Sequence, residues 1–215
     1  VTAGRFITLE GIEGAGKSTV ARFVRDRLRA NGVRVLMTRE PGGTPLAERV
    51  RQIVLDRGDE HMTPQAETLL MFAARSVHLD NLIRPALARG DWVVCDRFTD
   101  ATRAYQGGGR GVSAQWIEHL AREIHGDLSP DCTLLLDLPV SVGLERAKVR
   151  AGDAAADRFE SEREPFFERV RAAYLGLAQA EPDRIRLIDA GAPLADVERQ
   201  VISVLKKALQ VTVPE

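Results

Sequence analysis

The sequence predicts an α/β domain with a five-stranded parallel sheet and helices on both faces. Three observations carry the prediction. Short β-branched, apolar runs recur at wide spacing: Phe6–Leu9, Val33–Met37, Trp92–Cys95, Cys132–Leu136 and Ile185–Ile188. Stretches of helical periodicity fill the gaps, near 17–30, 44–56, 64–89, 113–125, 140–149, 161–180 and 193–209. Strands this apolar are buried on both faces, as parallel strands joined by crossover helices are. The third observation is a glycine-rich loop between the first strand and the first helix. Right-handed crossovers bring such loops to one edge of the sheet, where ligands bind. No internal repeat or linker divides the 215 residues, so one domain spanning 1–215 is expected.

The first strand, "FITLE", leads into "GIEGAGKS" and then the helix "STVARFVRDRL". The loop satisfies G-x-x-x-x-G-K-[ST] in the strand–loop–helix context that this phosphate-binding P-loop requires. Glycines let backbone N–H groups turn inward around phosphate oxygens, and the helix N-terminus adds positive potential. Gly11, Ile12, Glu13, Gly14, Ala15, Gly16, Lys17, Ser18 and Thr19 are therefore expected to bind ATP. Lys17 reaches the β- and γ-phosphates, and Ser18 ligates Mg2+ directly. Lys17, Lys148, Lys206 and Lys207 are the only lysines in an arginine-rich chain. A GTPase switch begins with the same loop, but the sequence lacks N-K-x-D and lacks D-x-x-G after a second strand. A transport or helicase ATPase needs a longer chain.

The second strand runs into "TREPGG", which puts Arg39 at the ligand edge as a candidate anion clamp. In 64–89, Ala66, Leu69, Leu70, Ala73 and Val77 form one helical stripe, expected to face the core. Phe72, Arg75 and Leu79 project from the other side, and residues alone leave a dimer seam and a pocket wall equally open. The third strand ends in Asp96 and Arg97, the first suited to a magnesium-bound water and the second to bidentate phosphate contact. After the fourth strand, 149–162 is rich in Ala, Asp and Arg without a core pattern. It reads as a solvated connection or as a mobile lid.

Composition sets outer bounds. Net charge is −1 and the chain is 44% hydrophobic, so neither a nucleic-acid surface nor an anionic membrane partner is indicated. Cys95 and Cys132 fall in buried strands without metal spacing, and no apolar run reaches spanning length. "VTAGRFITLEG" enters a strand almost at once, so a cytoplasmic location is expected. His61, His78, His119 and His125 lack ligand spacing and read as structural or surface residues.

Taken in order, "LEGIEGAGKST", "TREPGGTPLAERVR", "LLMFAARSVHL", "DRFTDATRAYQGGGRG" and "DRFESE" resemble the bacterial thymidylate kinase family over about Arg5–Gly191. The P-loop is generic, whereas "DRF…AYQGGGRG" with "TREPGGT" is specific. The resemblance implies a P-loop kinase that moves the γ-phosphate of ATP to dTMP with Mg2+, acts as a homodimer and closes a lid near 149–162. It implies that Phe72 stacks on thymine, Arg75 hydrogen-bonds the carbonyl edge of the base, and Arg39 and Arg97 hold the acceptor phosphate. Thr102 senses the pyrimidine edge, Tyr105 disfavours a ribose 2′-hydroxyl, and Gln106 approaches base or sugar. Glu13 lies near the acceptor sugar and a metal-bound water. Because the P-loop carries Gly14 and Ala15, the lid must supply the extra arginine: Arg150 first, Arg146 second, with Arg158 anchoring the lid's end. Phe159 and Glu160 close over the acceptor. Arg103 has no family counterpart and reads as a solvated helix residue or an extra cation. "DAGAP", after the last strand, borders the adenine. Kinases for other pyrimidine nucleoside monophosphates share most of this pattern.

Overall fold

The computed structural model describes residues 4–151, 158–159 and 162–209. Most of the 149–162 segment, including Glu160, lies outside the described residues. Five parallel strands form one sheet: β1 (Phe6–Glu10), β2 (Val35–Arg39), β3 (Trp92–Asp96), β4 (Cys132–Asp137) and β5 (Ile185–Asp189). The order is β2-β3-β1-β4-β5. The chain leaves β1 toward β2 on one side and reaches β4 on the other, so a crevice opens beyond the carboxyl ends of β1 and β3. Asp96 pairs in register with both Leu9 and Arg39, which sets the ends of three strands side by side at that crevice.

All five residues of β1 are buried, as the continuous apolar run predicts. α1 (Lys17–Ala30) packs Val20, Val24 and Leu28 inward at spacings of four. Burying each such side chain stabilises the fold by about 1.5–3 kcal/mol. α2 (Pro45–Leu55) and α3 (Pro64–His78) start with Pro after Thr44 and Thr63, whose hydroxyls accept from Ala47 N–H and Ala66 N–H. These are threonine N-caps with Pro in the first turn. α3 continues through a π-helical turn, Leu79–Ile83, into α4 (Arg84–Ala88). α6 (Ala114–His125), α7 (Val140–Ala151), α8 (Glu164–Ala180) and α9 (Leu194–Leu209) complete the layers.

One sequence expectation is corrected. The apolar stripe of α3 faces the core at Leu70 but not along its length: Leu69 and Ala73 are exposed, and Ala66 and Val77 are half-buried. The opposite face is buried, with Glu67, Thr68, Phe72, Arg75 and His78. Hydrophobic periodicity points the wrong way because the buried face of α3 carries polar side chains, Glu67, Thr68, Arg75 and His78, that find partners inside the fold. The stretch after β3 is helical: α5 (Thr99–Thr102) runs into a π-helical segment, Arg103–Gly109. Its glycines form a packing seam. A Cβ on Gly108 would strike Ala173 of α8, and one on Gly109 would strike the Phe166 ring. Cys95 and Cys132 are free and buried, as expected.

Candidate active site

The P-loop and the end of β3 meet across the crevice. Lys17 is buried and its Nζ donates to Gly11 O (3.0 Å) and Ile12 O (2.8 Å). Burial first, then the Arg97 charge, lowers its pKa to about 8, against the pull of Asp96, Glu13 and Glu10. Ser18 Oγ donates to Asp96 Oδ2 at 3.3 Å. A hydroxyl beside a carboxylate suits Mg2+, which keeps several waters and takes most of its ligands from phosphates. Among the described residues, no group of three or more His, Cys, Asp or Glu could hold a metal ion.

Arg97 links the two halves. It has a left-handed backbone (φ 72°), which is uncommon outside glycine. Its Nη1 donates to Gly11 O (2.9 Å) and Tyr174 Oη (3.2 Å), and its Nη2 to Glu13 Oε1 and Tyr105 Oη (both 3.0 Å). Tyr105 donates to Glu13 Oε2 (2.6 Å) and Tyr174 to Glu10 Oε2 (2.7 Å). Burial raises both tyrosine hydroxyls well above their usual range, so both remain donors.

Two adjoining cavities share this centre. The larger, of about 510 Å³, is lined by Lys17, Ser18, Thr19, Arg22 and Arg39 and by Arg150 of α7. The smaller, of about 100 Å³, has a more apolar wall, with Met71, Leu55, Phe98, Ala101 and Phe159. Arg75, Thr102, Tyr105 and Gln106 supply its polar side. Glu13, Glu40, Arg51 and Arg97 line both and so mark the passage between them. A wide polar groove adjoining a smaller, more apolar pocket suits two anionic substrates meeting end to end.

Within the small cavity Arg75 is 2% exposed and tightly held. Its Nε donates to Glu40 Oε2 (2.7 Å), its Nη2 to Thr102 Oγ1 (3.0 Å) and Phe98 O (3.2 Å), and the Phe72 and Phe98 rings flank it at 4.8 and 5.2 Å. Its Nη1 has no protein partner. Phe72 does not line the cavity as expected from the resemblance. It is buried against Val112, Ile117 and Ala121. Met71, four residues before Arg75 and so on the same helical face, lines the wall instead.

The remaining arginines separate clearly. Arg150 lines the larger cavity, while Arg146 donates to Ala190 O at 2.9 Å, in the loop read as bordering adenine. Arg39 lines the larger cavity, with its guanidinium on Glu48 (2.9 Å). Arg158 pairs with Glu67 (2.6 Å) and donates to Val54 O (2.9 Å), which ties the chain beside Phe159 to α2 and α3. Arg103 lines neither of these two cavities. It grips Glu118 (2.7 and 2.8 Å) and Asp100 (2.8 Å), and Asp100 also takes two bonds from Arg184 (2.7 and 3.0 Å). Burial acts to raise the Asp100 carboxyl, but the Arg184 bonds, the Arg184 and Arg103 charges and the Arg103 bond bring it below the ordinary range.

Sequence reading missed Arg51, Glu40, Glu67, Met71 and Tyr174. Glu40 and Arg51 stood in the recognised "TREPGGTPLAERVR" stretch, but nothing local distinguishes an inward Glu from a solvated one. Glu67 reads as an ordinary first-turn acid. Its burial follows from three partners far along the chain: Gln106 Nε2 (2.6 Å), Arg158 (2.6 Å) and Arg110 (3.4 Å).

The family model described as Thymidylate kinase matches residues 9–201. The chain is 57% identical to the thymidylate kinase of Pseudomonas savastanoi pv. phaseolicola, over 96% of this chain and 97% of the relative. It is 56% identical to that of Alkalilimnicola ehrlichii, over 97% and 94%. Among solved structures, the thymidylate kinase of Ehrlichia chaffeensis superposes with a TM-score of 0.74 at 31% identity. That match covers 94% of this chain and 99% of the other.

Proposed function

The chain belongs to the thymidylate kinase family, and on that premise we propose how its residues transfer the γ-phosphate of ATP to dTMP, giving dTDP and ADP. One observation carries the assignment of the small cavity: Arg75 lines it together with Thr102, and Arg75 Nη1 is buried without a partner. A buried guanidinium N–H without an acceptor is costly, and a pyrimidine carbonyl arriving there satisfies it. Met71, Leu55 and Phe98 supply apolar contact for the flat ring, a role that the resemblance gave to Phe72. Tyr105, held by Glu13 and Arg97, stands where the sugar enters.

Phosphoryl transfer asks mainly for positioning and charge compensation. Lys17 meets the triphosphate, while Arg97 and Arg51, at the passage, take the acceptor phosphate, with Arg39 on the outer side. Arg150 is the lid-side arginine of this reading, supported by its share in the larger cavity's wall. Ser18, with Asp96 beside it, would hold Mg2+, which would supply positive charge between the phosphates. The acceptor phosphate is already ionised, so no strong base is required.

The test is ADP formation from Mg-ATP with dTMP, dUMP, CMP, AMP and GMP in parallel. The expected result is strong preference for dTMP. Turnover with another monophosphate overturns the pocket assignment, and hydrolysis without any acceptor overturns the kinase reading. The cytoplasm is the proposed location, in line with the absence of a membrane-crossing helix among the described residues. The homodimer is proposed to form on α2 and α3, where Leu46, Ile53 and Leu69 are each about half exposed. A charge at Leu69 should then yield monomers in sedimentation; an unchanged dimer rules out that seam.

A further inference from the structure

The face of α3 that carries Arg75 continues one turn on to His78, and this side chain lines neither of the two cavities described above. It is fully buried, yet both ring nitrogens are engaged: Nδ1 with Glu40 Oε1 (2.9 Å) and Nε2 with Thr38 Oγ1 (2.7 Å). A carboxylate only accepts, so Nδ1 carries the hydrogen, and in the neutral ring Nε2 accepts from the threonine hydroxyl. The other oxygen of Glu40 takes the hydrogen bond from Arg75 Nε. Thr38, His78, Glu40 and Arg75 thus form an unbroken chain, from the exit of β2 to the guanidinium in the acceptor pocket.

The loop after β2 is built around this chain. Thr38 and Glu40 are two residues apart, as needed to face the same side of an extended segment. Gly43 has φ +87°, and a Cβ there would run into both His78 Nε2 and Thr38 Oγ1. The second glycine of "PGG" therefore leaves room for the Thr38–His78 contact itself. Space-filling alone would not need a ring bonded at both ends or a glycine cleared above it.

We infer that His78, held by Thr38, is a positioning residue that fixes Glu40 and through it aims Arg75 Nη1 at the base. This rests on the reading of Arg75 as the donor to the base edge. With His78 in place, each Glu40 oxygen has a donor and the carboxylate has one orientation. Without it, Glu40 gains a spare acceptor and can turn, and Arg75 follows. A fixed donor favours a pyrimidine with a carbonyl at position 4 and repels one with an amino group there, so loss of aim weakens binding and selectivity together.

The experiment compares wild type with His78→Leu, His78→Asn, Thr38→Val and Arg75→Ala in steady-state assays with dTMP, dCMP and ATP. His78→Leu should raise KM for dTMP about tenfold, with kcat and KM for ATP within about twofold. The preference for dTMP over dCMP should shrink by a similar factor. His78→Asn, whose amide N–H can replace Nδ1–H, should recover KM to within about threefold of wild type. A wild-type KM for dTMP in folded His78→Leu overturns the proposal, as does an equal loss in kcat and both KM values that Asn fails to rescue. If His78→Leu does not fold, the near-isosteric Thr38→Val decides. A rise in dTMP KM of about threefold supports the positioning role, and an unchanged KM overturns it. Arg75→Ala separates the two readings. Intact dTMP use in that variant sinks the base-reading assignment, whereas a severe Arg75→Ala with a silent His78→Leu sinks the positioning role alone.

Discussion

Glu67 offers the sharpest check on how the acceptor pocket is held together. It is 1% exposed, and its oxygens serve Gln106 in the pocket wall, Arg158 beside Phe159, and Arg110. Glu67→Ala removes the common acceptor from two guanidinium groups and an amide. Deleting one partner of a buried ion pair costs about 3–5 kcal/mol, but Arg158 and Arg110 keep 17% and 19% exposure and can reach water. A loss of about 2–3 kcal/mol is therefore expected. For a chain of this length each kcal/mol shifts Tm by about 2–4 °C, which gives a fall of about 5–10 °C. Gln106 and Phe159 both line the acceptor cavity, so KM for dTMP should rise about tenfold while KM for ATP stays nearly constant. Glu67→Gln keeps an acceptor for Gln106 but loses the charge, and should lie between the two. Thermal unfolding by circular dichroism with steady-state kinetics on the same preparations gives both numbers. Wild-type melting and an unchanged dTMP KM in Glu67→Ala would refute the reasoning.

The pH dependence should follow two buried groups in opposite directions. Lys17 has its pKa lowered to about 8, and its charged form is the one that meets the triphosphate. kcat/KM for Mg-ATP should therefore hold below about pH 8 and fall about tenfold per pH unit above it. A profile flat to about pH 9.5 would show that Lys17 keeps an ordinary pKa. Asp100 is held below the usual carboxyl range by Arg184 and Arg103, so its stabilisation is complete above the unfolded pKa of about 3.9 and vanishes as pH falls through the folded value. Urea midpoints should drop steeply below about pH 4 in wild type and less steeply in Asp100→Asn, which starts lower at neutrality. Identical slopes would remove Asp100 from the account.

Much of the fold and one half of the site could be read from neighbouring residues. The five strands, the P-loop and the Asp96–Arg97 pair rest on patterns a few residues long. The acceptor half was less legible. Phe72 and Met71 are adjacent apolar residues, and only the rotation of α3 about its axis, set by packing on α2 and α6, puts Met71 in the wall and Phe72 in an apolar cluster. The same rotation turns Leu69 outward and Glu67 inward, against the hydrophobic pattern. Arg103 was open between a solvated and a ligand role because Asp100, one turn back on the same helix, is a local partner, whereas Glu118 meets it only when α6 packs alongside.

By itself, then, the sequence determined the parallel α/β layers and a phosphate loop after β1, because burial periodicity and turn geometry are local properties. The tertiary structure decided which polar side chains are spare and which are spoken for. Glu40 meets Arg75 across 35 positions, Glu67 meets Gln106 across 39 and Arg97 meets Glu13 across 84. In water each of these groups would bond to solvent. Only packing that excludes solvent makes them satisfy one another, and it leaves Arg75 Nη1 buried without a partner.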